Sequence, residues 1–283
     1  MISIGTIAAV LAVLSWAISL VIEKRIVTIL GKTKGAALVI GLGVLPMLIL
    51  SALSFSLLDP AEIALAAISG IFLSIGFVLY YKSLETEQIS NTSGTGLLQP
   101  ALLIIFSVFV LSEPLTLPQI IGGIVIFLGI ILILTTERME LNRNLIPAIM
   151  AQVSWALYWI FATYAILGSH KVAIPLLISR VVAFISGAAL FPLLLKKDKI
   201  SRRSGVAYIA ILLVIAGILD GAGNILFGKV VSLNELQVGS IFSAMVPIVI
   251  TGLGYVVYKE RLTRLQAIGM LAAVIGALII AIF

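Results

Sequence analysis

The stretch GIFLSIGFVLYYK at 70–82 returns 147 positions later as GILDGAGNILFGK at 217–229. Both copies carry glycine at the first and seventh positions and lysine at the last, within mostly apolar runs. Matches of Pro, Glu, Thr and Gln continue downstream at the same shift. Because such residues seldom coincide by chance in an apolar chain, the sequence is a duplicated unit. The downstream matches pair Pro100, Glu113, Thr116, Gln119, Gly122 and Gly129 with Pro247, Glu260, Thr263, Gln266, Gly269 and Gly276.

A second match lies near the start of each copy. Ser15-Trp16-Ala17 corresponds to Ser154-Trp155-Ala156 at a shift of 139, so the copies differ by eight residues between the two blocks. We expect two domains, 1–140 and 141–283, and a function located where they meet.

The composition is that of a membrane protein. Of the 283 residues, 61% are hydrophobic and 11% charged, and the mean hydropathy is +1.26, which leaves too few charges for a soluble surface. The absence of cysteine excludes disulfides and thiolate metal or redox sites. The net charge of +6 lies mostly in short loops, where it orients a membrane protein and indicates no nucleic-acid partner. The first apolar run lacks a basic leader and a cleavage site, so we expect a retained span.

Ten segments are apolar enough to cross the hydrocarbon core, which takes about 20 helical residues. Proline or glycine stands near many of their ends, as is typical of helix boundaries. The loops are short, so neighbouring helices should pack antiparallel. The predicted fold is an all-α integral membrane protein. The segments are 2–22, 36–57, 61–82, 91–112, 117–135, 145–167, 172–195, 206–229, 235–258 and 264–283.

Five segments per copy is an odd number, so the second copy must cross the membrane in the opposite sense to the first. Inverted repeats around a site near the bilayer midplane are typical of secondary transporters. Loops after odd-numbered segments hold fifteen Lys and Arg, against two in the other loops. Because basic loops stay in the cytoplasm, we expect a multi-pass protein of the cytoplasmic membrane with both termini outside.

The end of the second copy resembles an EamA-like domain. Its residues are Gly228-Lys229, an apolar segment bearing Pro247, then Lys259-Glu260-Arg261-Leu262-Thr263 with Gln266 and Gly269. The first copy has a weaker version, Ser112-Glu113-Pro114-Leu115-Thr116 with Gln119 and Gly122. The whole chain is thus similar to the drug/metabolite transporter superfamily, whose members carry two such domains. The resemblance implies ten helices around a central cavity, formed mainly by the third, fourth, eighth and ninth helices with the first and sixth. Many members have both termini in the cytoplasm, which differs from the orientation expected here.

Asp220 is the strongest candidate for a functional residue. It lies about 14 residues into the eighth segment, roughly 21 Å along a helix, where a carboxylate must be paired, solvated or protonated. Asn224 follows one turn later, whereas the first copy has Leu73 and Phe77 at these positions. This divergence indicates contact with a substrate or a proton. The alternative is a structural ion pair with Arg180 of the seventh segment.

Aromatic residues accompany this position on the sixth segment. Gln152, Trp155 and Trp159 share one helical face, and Tyr158 lies beside it. Trp16 is the first-copy counterpart of Trp155. Such a wall suits an amphipathic, planar or cationic solute, and ordinary helix packing is the alternative for Tyr158 and Trp159.

Two matched prolines and three glutamates have conformational interpretations. Pro100 and Pro247 lie inside apolar segments, where proline removes a hydrogen bond, so we expect a kink in each helix and a role in gating. Gln99, next to Pro100, is expected to face the cavity. Glu113 and Glu260 precede helix starts, where they would cap exposed N–H groups. Glu23 is expected to form an ion pair with Lys24 and Arg25 at the membrane interface.

The residues that the chain lacks also restrict its function. The single histidine, His170, lies in a loop and no phosphate-binding loop is present, so we expect no metal, no other cofactor and no nucleotide-driven pumping. We expect a secondary transporter, an exporter or exchanger of small organic metabolites such as amino acids or amphipathic compounds, with protons as the possible coupling ion, acting as a monomer or homodimer. The alternatives are a lipid-linked sugar flippase, a membrane scaffold, or an intramembrane lipid-modifying enzyme. The predicted binding residues are Trp16, Gln99, Gln152, Trp155, Tyr158, Trp159, Asp220 and Asn224.

Overall fold

The computed structural model describes residues 3–53, 56–83, 95–134, 146–194, 205–258 and 264–282. These residues form α-helices, with a 3₁₀ turn at Thr95–Leu97 and no strand. Helices satisfy their own backbone groups, as a segment surrounded by lipid must. The predicted all-α fold is therefore confirmed for the described residues. The helices are α1 (Ile4–Leu30), α2 (Lys32–Leu42), α3 (Val44–Leu53), α4 (Pro60–Ser83), α5 (Leu98–Phe109), α6 (Leu117–Leu134), α7 (Ile146–Ser169), α8 (Ala173–Leu194), α9 (Val206–Ser232), α10 (Leu236–Ser243), α11 (Val246–Tyr258) and α12 (Arg264–Ile282).

Seven stretches of the described residues are long and apolar enough to cross a membrane. They coincide with the first, second, third, sixth, seventh, eighth and ninth predicted segments. Shorter apolar helices, Leu98–Phe109, Leu117–Gly129 and Ala267–Ile280, coincide with the other three. The count of ten spans stays a prediction. Residues 91–94, the predicted domain junction at 140–141, Glu260 and Thr263 lie outside the described residues.

The first helix is longer than predicted. α1 continues through Lys24 and Arg25 to Leu30, and it ends at Gly31, whose φ of 83° favours glycine. The expected end near residue 22 is wrong because charged side chains do not themselves end a helix, and long basic side chains can extend towards water.

The second segment is two helices, which the sequence interpretation did not anticipate. α2 ends at Leu42 and α3 begins at Val44. Pro46 has no N–H to bond the carbonyl of Leu42, so the regular helix is interrupted there. The backbone of Gly43, between the two helices, lies against Gly221 of α9, where a Cβ would meet the Gly43 carbonyl oxygen at 2.4 Å.

The two matched prolines lie at helix starts and not at kinks within helices. α10 ends at Ser243 and α11 begins at Val246, so Pro247 is the second residue of α11. Pro100 is the third residue of α5. In the first turn a missing N–H leaves no helical hydrogen bond unmade, which is why proline is favoured there. Beside Pro247 the helix of the ninth segment is broken and not merely bent; the kink at Pro100 and the gating role of both prolines stay predictions.

Matched glycines bring α6 and α12 together. A Cβ on Gly122 would lie 2.6 Å from the carbonyl oxygen of Gly276, and one on Gly129 would lie 2.5 Å from that of Gly269. The two helices therefore run antiparallel at backbone contact. Exchanging the two sequence copies converts the first contact into the second, which is the relation expected of a twofold axis between the copies.

Helices of one copy also pack along helices of the other around the middle of the protein. α1 packs along α9, and α4 packs along α7. Trp16 of α1 lies against Gly223 of α9, while Trp155 of α7 lies against Gly76 of α4. These two contacts join matched residues, so both copies build the same interface and a common centre.

Candidate functional site

A cavity of about 140 Å³ lies among α1, α4, α5, α7, α8, α9, α10 and α11. Both sequence copies contribute to its wall. The ten residues predicted for binding and gating all line it: Trp16, Gln99, Pro100, Gln152, Trp155, Tyr158, Trp159, Asp220, Asn224 and Pro247. Their wide separation in sequence makes this convergence a property of the fold. Further lining residues that were not predicted include Glu23, Tyr80, Arg180 and Ser243.

An ion pair between helices α8 and α9 forms one side of the cavity. The Nη2 group of Arg180 donates to Oδ2 of Asp220. Both residues are buried, with 1% of Arg180 exposed, so the pair neutralises two charges that would be costly separately. Asp220 thus forms the ion pair that was the structural alternative, and it also lines the cavity; its contact with a substrate or a proton stays a prediction.

The backbone of Gly43 lies against the guanidinium of Arg180. A Cβ on Gly43 would lie 3.0 Å from Nη2 of Arg180, so the break between α2 and α3 makes room for the guanidinium. The Nε and Nη1 groups of Arg180 have no hydrogen-bond partner among the described residues. The arginine is therefore held by one carboxylate and by close packing.

Asn224 links the ion pair to the aromatic wall. Its side-chain nitrogen donates to the carbonyl oxygen of Asp220, one turn earlier, at 2.8 Å. Its side-chain oxygen accepts a hydrogen bond from the hydroxyl of Tyr158 at 2.9 Å. The amide thus fixes the orientation of the tyrosine ring beside the cavity, in addition to lining it.

The aromatic wall contains two matched pairs. Trp16 and Phe227 have ring centroids 5.4 Å apart at an interplanar angle of 41°, and Trp155 and Tyr80 have centroids 5.3 Å apart at 43°. Phe227 and Tyr80 occupy equivalent positions in the two copies. Trp159, which packs on Phe227 at 4.4 Å, adds a third indole on one side only. The two copies therefore contribute equivalent aromatic pairs, and only the second copy adds a third indole.

Two glutamines add neutral polar groups. Gln152 is 4% exposed and makes no hydrogen bond to the described residues, although it lines the cavity. Gln99 lies half-buried in the first turn of α5. Because an amide both donates and accepts, Gln152 can bond a solute or water of either polarity.

Glu23 differs most from the sequence interpretation. It is 5% exposed and lines the cavity, so the predicted interfacial position is wrong. Ser19 donates to its Oε1 at 3.0 Å, and Tyr81 donates to its Oε2 at 2.9 Å. The signal that could have found it is its spacing of four residues from Ser19 and seven from Trp16, which puts the three side chains on one helical face.

Glu113 caps a helix, but a different one from that predicted. Its Oε2 accepts the backbone N–H of Gln237, in the first turn of α10, at 3.2 Å, and the hydroxyl of Ser107 at 2.6 Å. The following helix, α6, is capped instead by Thr116 and Gln119, which exchange backbone-to-side-chain hydrogen bonds. Glu113 therefore connects the two copies on one face of the membrane domain.

Metal-binding clusters of histidine, cysteine, aspartate or glutamate do not occur within the described ranges. The arrangement that does occur combines one ion pair, one further carboxylate, amides and aromatic faces. These groups can bind a small solute through charge, hydrogen bonds and ring contacts.

Comparison with known proteins gives three findings. A sequence model of the EamA-like transporter family matches residues 3–135 and 143–282. An uncharacterised protein of Methanocaldococcus jannaschii is 36% identical over 75 residues, which are 26% of this chain and 55% of that protein; the match spans about half of the relative. A solved structure titled only as the crystal structure of a protein has a TM-score of 0.78 and 18% identity, and the match covers 100% of this chain and 99% of the other.

The solved structure shows that the overall fold is shared, and at 18% identity it shows the fold alone. The family match covers both sequence copies and nearly the whole chain. Together with the long apolar helices, it makes the chain a multi-pass membrane protein. Family members are transporters of the drug/metabolite type. The chain belongs to the EamA-like transporter family.

Proposed function

We propose that this protein is a secondary transporter of small organic metabolites, such as amino acids or amphipathic compounds, that works by alternating access. The observation that carries the proposal is the cavity between the two copies, which combines three buried charged residues with three indoles. A purely structural core would seldom bury Glu23, Arg180 and Asp220 together, because each charge is costly in an apolar interior.

The proposal includes two inverted repeats, residues 1–140 and 141–283, with ten spans in total. The antiparallel contact of α6 with α12 supports it, since a twofold axis perpendicular to the helices makes matched helices antiparallel. An axis along the membrane normal would make them parallel. Inverted repeats provide two equivalent arrangements that open on opposite faces.

Movement during transport is proposed to occur at the helix breaks beside the cavity. α10 and α11 are separated at Ala244 and Met245, next to the lining residues Ser243 and Pro247. Pro100 is the equivalent residue of the first copy. Broken helices at a cavity can change their relative angle without disrupting a continuous hydrogen-bond ladder, which supports a gating role.

One face of the protein is held closed by contacts between the copies. Ser3, at the start of α1, donates to the carboxylate of Glu235 at 3.0 Å, and Glu113 binds the first turn of α10. On the orientation predicted from the basic loops, with both termini outside, this is the outer face. The proposed resting state is therefore closed to the outside.

Counterflow in proteoliposomes tests the proposal. Vesicles preloaded with one compound of a metabolite panel should accumulate the labelled form of that compound, with and without a pH gradient. Asp220→Asn should lower the rate more than about tenfold, because it leaves Arg180 buried without its carboxylate. Glu62→Gln changes the same charge at the start of α4, outside the cavity, and serves as the control.

The outcomes separate transport from coupling. Absence of counterflow for the whole panel in correctly folded protein would contradict the transport proposal. Full activity of Asp220→Asn with an unchanged response to the pH gradient would exclude Asp220 from proton coupling.

A further inference from the structure

The charges that line the cavity do not balance. The described lining residues include two carboxylates, Glu23 and Asp220, and one guanidinium, Arg180. Arg180 bonds Asp220 directly. Glu23 receives hydrogen bonds from two hydroxyl groups, and within the described part of the chain no basic side chain lies at ion-pair distance from it. Among the described lining residues, one negative charge is therefore left without a counter-charge.

A buried carboxylate without a cation is unfavourable, so a proton or a bound cation must balance it when the cavity is occluded. Arg180 is near enough to Glu23 to act on it electrostatically, but its hydrogen bond is given to Asp220. Burial disfavours the charged form of Glu23, whereas the hydrogen bonds from Tyr81 and Ser19 favour it. A positive group bound in the cavity would offset the penalty that burial places on this carboxylate.

The other groups at the cavity wall also favour a positive solute. Trp16, Trp155, Trp159 and Tyr80 line it, and aromatic ring faces attract organic cations. The side-chain amide of Gln152 has no hydrogen-bond partner among the described residues. On Asp220, Arg180 occupies Oδ2, and no hydrogen bond joins Oδ1 to a side chain of the described residues. By contrast, the unpaired Nε and Nη1 groups of Arg180 are sealed from solvent and are closed to an anion.

We infer that the cavity binds a monovalent organic cation, an amine attached to an apolar or aromatic group, with Glu23 as its counter-charge. This inference rests on the proposed transport function and specifies the substrate class of the same cavity. The ammonium group lies at Glu23, and the apolar part packs on the indoles. Asp220 neutralises Arg180, so the remaining negative charge, that of Glu23, selects the solute.

Tryptophan fluorescence measures binding without transport. The chain has three tryptophans, and all three line the cavity, so a change in emission reports this cavity alone. Purified protein in nanodiscs is titrated with three probes of similar shape, 2-phenylethylamine, 2-phenylethanol and 3-phenylpropanoate. We expect the amine to bind at least about tenfold more tightly than the carboxylate.

Variants test the charge count itself. Glu23→Gln should weaken amine binding about tenfold or more. Glu23→Gln combined with Asp220→Asn leaves only Arg180 charged and releases its Nη2 group from the carboxylate, so 3-phenylpropanoate should then bind at Nη2 more tightly than the amine. Glu62→Gln should bind as the unchanged protein does. Size-exclusion profiles and circular dichroism verify that each variant folds, and the double variant provides a gain of binding that misfolding cannot produce.

The inference fails if the carboxylate binds the unchanged protein as well as the amine does, or if the double variant retains the preference for the amine. Either result leaves counterflow of other solutes intact as evidence for transport. Counterflow that is absent for every compound, combined with tight amine binding, would reject the transport proposal and keep the cation site.

Discussion

The contact between Gly76 and Trp155 gives a prediction whose size follows from the geometry. In Gly76→Ala, the new methyl group would lie 2.3 Å from Cδ1 and from Nε1 of Trp155. Unstrained carbon contacts are about 3.5 Å or longer, so the indole must move by about 1 Å. Trp155 is half-buried and lines the cavity, and the displacement is directed away from α4.

The expected effect on the cavity is large. An indole side chain has an accessible area of about 200 Å², and one ring face is about a quarter of it, or about 50 Å². When that face moves by about 1 Å, the ring sweeps a volume of about 50 Å³. The cavity volume is about 140 Å³, so an indole displaced into the cavity would fill roughly a third of it. We therefore expect Gly76→Ala to reduce counterflow of bulky aromatic solutes about tenfold, and that of small ones much less.

Counterflow with a size series of amines measures this effect, and tryptophan emission should shift in parallel. Gly123→Ala is the matched control, because its methyl group would meet Ile241 at an ordinary 3.7 Å. Combining Gly76→Ala with Trp155→Phe should restore transport of bulky solutes, since the smaller ring removes the clash. Unchanged emission and an unchanged size series in Gly76→Ala would refute the reasoning.

Two further predictions concern the contacts between the copies. Glu113→Gln should weaken the closed face, because the carboxylate that binds the N–H of Gln237 loses its charge, worth up to about 2 kcal/mol at a helix start. A cysteine placed by Ser243→Cys in this cysteine-free chain should then react faster with an impermeant maleimide added on that face, and an unchanged rate would contradict a closing role. Gly122→Ala should lower the midpoint of thermal unfolding in detergent, since overpacking costs about 1–3 kcal/mol. Gly123→Ala should match or raise that midpoint, and equal destabilisation by both would show that α6 and α12 are not in backbone contact.

Helix positions could be predicted from the sequence because apolar length is a local property. The predicted start of α4 differs from the observed one by a single residue, and α9 begins where predicted. The end of α1 was harder to predict from the sequence. Lys24 and Arg25 indicated a loop, but the helix ends only at Gly31, where the backbone turns into a conformation that favours glycine.

The residues of the cavity could be predicted because polar and aromatic side chains deep in apolar segments are rare and costly. This argument found Asp220, Asn224 and Gln152. It missed Glu23, whose sequence position next to Lys24 was typical of a membrane surface. Its helical spacing from Trp16 and Ser19 was a local signal, but its contact with Tyr81 of α4 joins distant parts of the chain and could not be predicted locally.

The scaffold around the cavity is symmetric, but the side chains that line the cavity differ between the two copies. The positions that differ are the candidates for solute binding. The contacts Trp16–Gly223 and Trp155–Gly76 are equivalent in the two copies, whereas Asp220 stands where the first copy has Leu73. Asp220 is paired with Arg180, and on the inference above Glu23 of the other copy provides the charge for the solute. On the proposed transport function, the contacts that match between the copies are expected to support the movement, and the positions that differ are expected to determine which solute binds.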